Sequence, residues 1–196
     1  MYKKQLTAQK ILCLTALIIS VAVFIYSLGI MTDLYDALYS TMRNPNDHLK
    51  TDVSGSIVYY NMQSFNSAFL KAAIVLILLA VFLFVMNTHV RRKYYIGNYV
   101  AVGLYSVAAV GIAIWSHIQI EIYKAQWMMV DFEALAEHAS TWDTTYTDSN
   151  FWFDIHYATS GLLILISAAL IANCFWKRSL MKAEQNLIGK GEENAA

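Results

Sequence analysis

Two long apolar runs joined by a short basic segment constrain the fold of this chain more than any other feature. Residues 68–86 carry a single charge, on Lys71, and residues 96–120 contain no Asp, Glu, Lys or Arg. A helix of about 20 apolar residues crosses the hydrocarbon core of a bilayer, so each run is long enough to span a membrane. The basic sequence Arg-Arg-Lys at 91–93 separates them. We therefore predict a transmembrane hairpin whose turn lies in the cytoplasm.

Two further uncharged runs, residues 11–31 and 155–176, flank this hairpin. Of the 196 residues 58% are hydrophobic and only 14% are charged, which is too apolar for an ordinary soluble domain of this size. We predict an all-α integral membrane protein, a single domain over residues 1–196 that forms a four-transmembrane-helix bundle made of two hairpins. The transmembrane helices are predicted at about 11–31, 68–87, 96–120 and 153–176.

Charge is divided unequally between the connecting segments. Ten of the 14 basic residues precede the first run, separate the second from the third, or follow the fourth, whereas 11 of the 14 acidic residues lie in the other two connections. Because cytoplasmic loops carry the basic excess, both termini and the tail 177–196 are predicted to be cytoplasmic. The long segments 32–67 and 121–152 are then extracytoplasmic and are expected to form a small cap.

This pattern predicts a multi-pass protein of a cell membrane, with the lipid bilayer as its first partner. The sequence has no Asn-x-Ser/Thr glycosylation acceptor, which is compatible with a bacterial inner or plasma membrane. Its basic residues are too few and too scattered to indicate nucleic-acid binding. Within the segments outside the membrane, residues 54–62 are β-prone and predict a short strand or extended segment, whereas residues 121–140 predict an outer amphipathic helix.

Small residues repeat every seven positions on the first and fourth predicted helices. Small side chains let membrane helices approach closely, because lipid provides no hydrophobic drive for their association. We therefore expect these two helices to pack along a common seam with a left-handed crossing. The two stripes are Cys13, Ser20 and Ser27 on the first helix, and Ser160, Ser167 and Cys174 on the fourth.

The third predicted helix carries a narrow stripe of mostly small residues that ends in a histidine. Residues spaced in this way share one helical face, and we expect that face to point into the bundle. The stripe is Tyr99, Gly103, Ser106, Val110, Ala113 and His117.

Two histidines, His117 and His156, are predicted near the outer ends of neighbouring helices at similar depth. Imidazoles on facing helices are common ligands of haem and metals, and Asp154 is placed to orient one of them. The more ordinary role is that of a buried histidine bonded to a serine or a carbonyl group. A functional role stays open because ionisable groups inside a membrane mark candidate sites.

Aromatic residues are abundant in the segments predicted to lie outside. Beside carboxylates and amides, such rings bind sugars or cationic ligands or form the centre of a protein interface. The competing interpretation is an aromatic belt at the lipid headgroups together with loop packing. The candidate ligand or partner surface consists of Tyr59, Tyr60, Trp127, Trp142 and Tyr146.

The sequence contains no phosphate-binding glycine loop and no hydrolase or zinc-protease motif. We therefore expect a non-enzymatic accessory or structural subunit of a larger membrane assembly, such as a transporter or a sensor, with a protein partner and no cofactor. One alternative is a haem- or metal-binding membrane oxidoreductase that uses His117 and His156. The other is a small oligomeric transporter or channel.

Overall fold

The structure, a computed structural model, describes residues 2–42, 53–88, 95–142 and 148–193, and all regular structure in these ranges is helical. Four of the helices are long and apolar enough to cross a membrane, which confirms the predicted all-α, four-span class. The helices are α1 (Tyr2–Met42), α2 (Ile57–Thr88), α3 (Tyr95–Trp127), α4 (Phe132–Trp142) and α5 (Phe151–Glu193).

The helices extend well past the predicted membrane spans. The first begins at Tyr2 rather than near residue 11, and the last continues to Glu193 rather than ending near residue 176. Charged residues leave the hydrocarbon but do not stop a helix, since Lys, Arg and Glu are good helix formers. Hydropathy therefore located the spans but not the ends of the helices.

The strand or extended segment predicted at residues 54–62 is wrong, because α2 begins at Ile57. Val58, Met62 and Phe65 follow one another at helical spacing, and all three are buried. Burial of this helical stripe outweighs the β-propensity of the neighbouring residues, which is a weak and context-dependent preference.

The single outer helix predicted over residues 121–140 is divided in two. The helix α3 ends at Trp127, a turn follows, and α4 begins at Phe132. Asp131 precedes α4, and one of its side-chain oxygens accepts a hydrogen bond from the Ala134 backbone N–H at 3.0 Å. An aspartate at this position stabilises a helix start by satisfying an otherwise unpaired N–H group.

The four long helices pack side by side in a ring. The packed pairs are α1 with α2, α2 with α3, α3 with α5, and α5 with α1. At the centre, Tyr105 of α3 donates a hydrogen bond to the Ala16 carbonyl oxygen of α1 at 3.2 Å, and its hydroxyl lies 3.1 Å from that of Ser20. The predicted packing of the first spanning helix against the last is confirmed.

The predicted inward face of α3 is wrong in part. Ser106 and Ala113 are buried as predicted, but Gly103 and His117 are exposed. The core also contains Ala101, Tyr105 and Ala109, which lie outside the predicted face. The helix is rotated because the bulky Tyr105 ring occupies the centre and bonds to α1. The stripe of small residues consequently lies along the side of α3 that adjoins α5.

At the end of the bundle that contains Trp127 and Trp152, here called the tryptophan end, two connecting segments meet. The Asp131 backbone N–H donates to the Ser54 carbonyl oxygen at 3.0 Å. Gly55 has a φ of 83°, and a Cβ atom there would lie 2.8 Å from the Met129 carbonyl oxygen. A residue with a side chain therefore fits this contact poorly for two independent reasons.

We predict that Gly55→Ala lowers stability by about 1–3 kcal/mol, since it forces a left-handed backbone on alanine and drives its Cβ into the Met129 carbonyl group. Thermal unfolding in detergent, followed by tryptophan fluorescence, measures the effect. Gly111→Ala is the matched control, because nothing lies within 4 Å of a Cβ at that helical position. Equal unfolding temperatures for G55A and the unmodified protein would contradict the close contact.

Candidate functional site

A buried polar network, here called the amide network, joins all four long helices at the end of the bundle where α1 begins. This amide end lies opposite the tryptophan end. All of its members are buried, and all but one carry a side-chain amide. They are Gln5 and Gln9 of α1, Asn87 of α2, Asn98 of α3, and Asn173 and Lys177 of α5.

Hydrogen bonds connect three of the helices through the glutamines of α1. Gln5 Nε2 donates to Gln9 Oε1 at 3.0 Å and to Asn173 Oδ1 at 3.3 Å. Gln9 Nε2 donates to Asn87 Oδ1 at 2.9 Å. Asn87 Nδ2 donates in turn to the Leu83 carbonyl oxygen at 3.0 Å. The α1 glutamines therefore bridge α2 and α5 by specific polar bonds.

Lys177 brings a positive charge into this network with only 3% of its surface exposed. In the amide orientation that satisfies both groups, Asn98 Oδ1 accepts from Lys177 Nζ at 2.8 Å, and Asn98 Nδ2 donates to the Met86 carbonyl oxygen at 2.6 Å. Lys177 Nζ also lies 5.9 Å from the centre of the Tyr99 ring. A cation above an aromatic face is attracted by the negative charge density of the ring.

The sequence prediction did not find the amide network. Gln5 and Gln9 precede the first predicted span, and Lys177 follows the fourth. The available signal was the spacing of Gln5 and Gln9, because residues four apart share one helical face. Their partners lie far away in sequence and could not be assigned from spacing.

His156 occupies a second buried site, near the tryptophan end. Its Nε2 atom lies 3.1 Å from Ser160 Oγ, and its ring centre lies 5.8 Å from those of Tyr26 and Phe69. Tyr26 is itself held in place, because its hydroxyl donates to the Trp152 carbonyl oxygen at 2.7 Å. Within the described residues His156 Nδ1 has no hydrogen-bond partner.

His117 lies on the outside of the bundle, with its side chain about half exposed. Its Nδ1 atom is 4.0 Å from Glu121, and its ring is 5.7 Å from that of Tyr157. The hydroxyl of Tyr157 donates to Glu121 Oε1 at 2.5 Å. Asp154 Oδ1 accepts a hydrogen bond from Lys124 Nζ at 3.0 Å, and among the described residues Asp154 accepts none from a histidine.

The two candidate ligands, His117 and His156, therefore occupy different environments. One ring is exposed on α3, and the other is enclosed by α1 and α2 side chains. Among the described residues no three His, Cys, Asp or Glu side chains come together in a metal-binding arrangement. A cofactor bound to His156 would also contact Ser160 and the rings of Tyr26 and Phe69.

The aromatic residues predicted to form a ligand or partner surface are only partly described. Trp127 is fully buried, with its ring 5.4 Å from Phe132 and 5.5 Å from Phe153, so it belongs to the packed core. The side chains of Tyr59, Tyr60 and Trp142, and the whole of Tyr146, lie outside the described residues.

Other apolar side chains are exposed at the tryptophan end. Met128 and Met129, in the turn between α3 and α4, are 64% and 73% exposed. Phe151 at the start of α5 and Ile57 at the start of α2 are about half exposed. None of these residues belongs to the predicted ligand or partner surface, which consists of tyrosine and tryptophan alone.

Two grooves open along the contact between α3 and α5. One, of about 260 Å³, is lined by His117, Tyr157, Ser160 and Gly161 among others. The other, of about 560 Å³, lies towards the amide end, where Tyr99 and Gly103 of α3 face Phe175, Arg178 and Lys182 of α5. The groove-lining glycines Gly103 and Gly161 border open space, since nothing lies within 4 Å of a Cβ placed at either.

We predict that Asn98→Leu destabilises the protein by about 1–3 kcal/mol, because it removes the acceptor of a buried ammonium group and leaves the Met86 carbonyl oxygen without its donor. Thermal unfolding in detergent measures the change. Asn61→Leu makes the same substitution at an exposed position of α2 and serves as the control. If both variants unfold at the temperature of the unmodified protein, the amide network does not stabilise the bundle.

Comparison with protein families, with curated proteins and with solved structures finds no match to this chain. The amide network, the His156 site, the exposed methionines and the α3–α5 grooves are therefore the features from which its function is inferred.

Proposed function

We propose that this protein is a non-enzymatic, multi-pass membrane protein that acts as an accessory or structural subunit of a larger membrane assembly. It binds a protein partner at the tryptophan end. The observation that carries the proposal is the exposure of Met128 and Met129 on a turn whose backbone is held in place.

Backbone contacts fix the turn between α3 and α4 on both sides. The Met128 backbone N–H donates to the Lys124 carbonyl oxygen at 3.0 Å, and the Met129 backbone contacts Gly55. Val130 directly after it is buried. A fixed backbone lowers the entropy cost of association, and methionine side chains adapt to the shape of a partner.

The character of the core supports a structural role. The polar side chains of the amide network bond to one another and to backbone carbonyl groups across the four long helices. Side-chain amides neither accept protons readily nor act as nucleophiles, so their chemistry suits specific packing. Asn and Gln side chains bonded across helices are a recognised means of fixing membrane helix association.

We further propose that the chain forms two hairpins, α1 with α2 and α3 with α5, with both termini in the cytoplasm. The division of basic and acidic residues supports this orientation. The segments 32–67 and 121–152 then form a cap outside a bacterial inner or plasma membrane, and the exposed methionines face the extracytoplasmic side.

We predict opposite labelling of cysteines introduced at the two ends of the bundle. In a background without Cys13 and Cys174, a membrane-impermeant maleimide applied to intact cells should label Glu133→Cys and leave Lys182→Cys unlabelled. Both positions are exposed, so burial does not explain a difference between them. Permeabilised cells provide the control, because both variants should then react. Labelling of K182C in intact cells would reverse the proposed orientation.

We predict that a photoreactive amino acid at Met129 crosslinks one discrete protein in the native membrane, and that Met128→Gln with Met129→Gln lowers recovery of that complex at least about tenfold. Loss of two buried apolar contacts removes affinity of this order. Crosslinking followed by mass spectrometry, and quantitative co-purification in mild detergent, measure the two effects.

A photoreactive residue at Val107 is the matched control, since this α3 side chain is 76% exposed and lies in a transmembrane segment. The same protein crosslinked with equal yield from both positions would argue against a specific surface at the tryptophan end. Recovery of the protein as a lone monomer, with no crosslink from Met129, would remove the proposed subunit role.

A further inference from the structure

The larger α3–α5 groove has an apolar part, here called the channel, which is lined by Val102, Ile171 and Phe175, and it has two cationic side chains at one end. We propose that it binds one anionic phospholipid of the leaflet at the amide end, with the phosphate at Arg178 and Lys182 and an acyl chain in the channel. This inference goes beyond the subunit role, because it concerns a different face of the molecule and needs no protein partner.

The groove has the size and lining of a small-molecule site. Its volume of about 560 Å³ lies within the range of about 300–1,000 Å³ common for such sites. Val102, Ile171 and Phe175 provide apolar walls, and Gly103 leaves open space, since nothing lies within 4 Å of a Cβ placed there. These four residues belong to membrane-spanning segments, so an acyl chain reaches the channel directly from the bilayer.

Positive charge is concentrated at one end of the channel. Arg178 and Lys182 are four residues apart on α5, so they share a helical face, and both line the groove. The third cation of this region, Lys177, lies beside Tyr99, which also lines the groove. The N-terminus of α3 is one turn before Tyr99, and a helix N-terminus favours a nearby anion.

An anionic phospholipid matches this arrangement better than other occupants. A free phosphate leaves the apolar channel unused, and an apolar helix places no negative charge near the arginine and lysine. One end of the groove is basic and the rest is apolar, which matches the headgroup and the acyl chains of the lipid. Basic pockets between membrane helices on the cytoplasmic side are known to favour acidic headgroups.

The test uses the full-length chain, purified and delipidated in mild detergent. Its affinities for phosphatidylglycerol and for phosphatidylcholine with identical acyl chains are measured by native mass spectrometry. We expect phosphatidylglycerol to bind at least about tenfold more tightly. Arg178→Gln with Lys182→Gln should lower its affinity by about 25-fold, or about fivefold per charge, and abolish the preference.

Two further variants distinguish a specific lipid site from nonspecific attraction of the lipid to positive charge. Gly103→Leu fills the channel without changing any charge and should weaken phosphatidylglycerol binding. Lys3→Gln with Lys4→Gln removes two exposed charges that do not line the groove, and should leave binding within about twofold.

The proposal is overturned if the two lipids bind equally, if K3Q/K4Q weakens binding as much as R178Q/K182Q, or if G103L binds as well as the unmodified protein. Competition by free glycerol phosphate at the same concentration as the lipid would also overturn it, because the acyl chain would then contribute nothing. Thermal unfolding checks that each variant remains folded, and Arg178, Lys182 and Gly103 are all exposed.

Discussion

The pairing of buried side-chain amides across helices is the constraint on which this bundle depends. In a membrane, helices gain no hydrophobic energy by leaving lipid for one another, so apolar contact alone specifies their arrangement weakly. The amide network provides the missing specificity. Gln9 meets Asn87, and Gln5 meets Asn173, only if α1 has one rotation and one height relative to α2 and α5. Sliding or rotating α1 would leave these amides buried without partners, at a cost of about 1–3 kcal/mol for each group.

The two ends of the molecule are therefore held together by different interactions. At the amide end, polar side chains converge from all four long helices. At the tryptophan end, aromatic rings pack against one another, as Trp127 does with Phe153, and backbone groups of two connecting segments meet at Gly55. Between them, the Tyr105 hydroxyl links α3 to α1 across the centre. Polar bonds therefore fix the amide end, and aromatic packing together with a backbone contact fixes the tryptophan end.

The number of spanning helices, the all-α class and the packing of the first span against the last could be predicted from the sequence. Each of these depends on hydropathy or on the spacing of residues within one helix. The rotation of α3 could not be predicted, because the position of the Tyr105 ring depends on Ala16 and Ser20 of another helix. The burial of Trp127 was missed for a similar reason, since its contacts come from α4 and α5. The start of α2 at Ile57 depends on a packed stripe that local β-propensity conceals.

The length of α5 has a mechanical consequence. Its 43 residues extend about 64 Å as one continuous helix, roughly twice the thickness of a hydrocarbon core. Both grooves and the buried Lys177 lie along α5. A change of tilt by about 10° near the His156 site would displace the opposite end by about 10 Å, given the rise of a rigid helix. A small tilt of α5 at the tryptophan end would therefore move the basic side chains at its amide end.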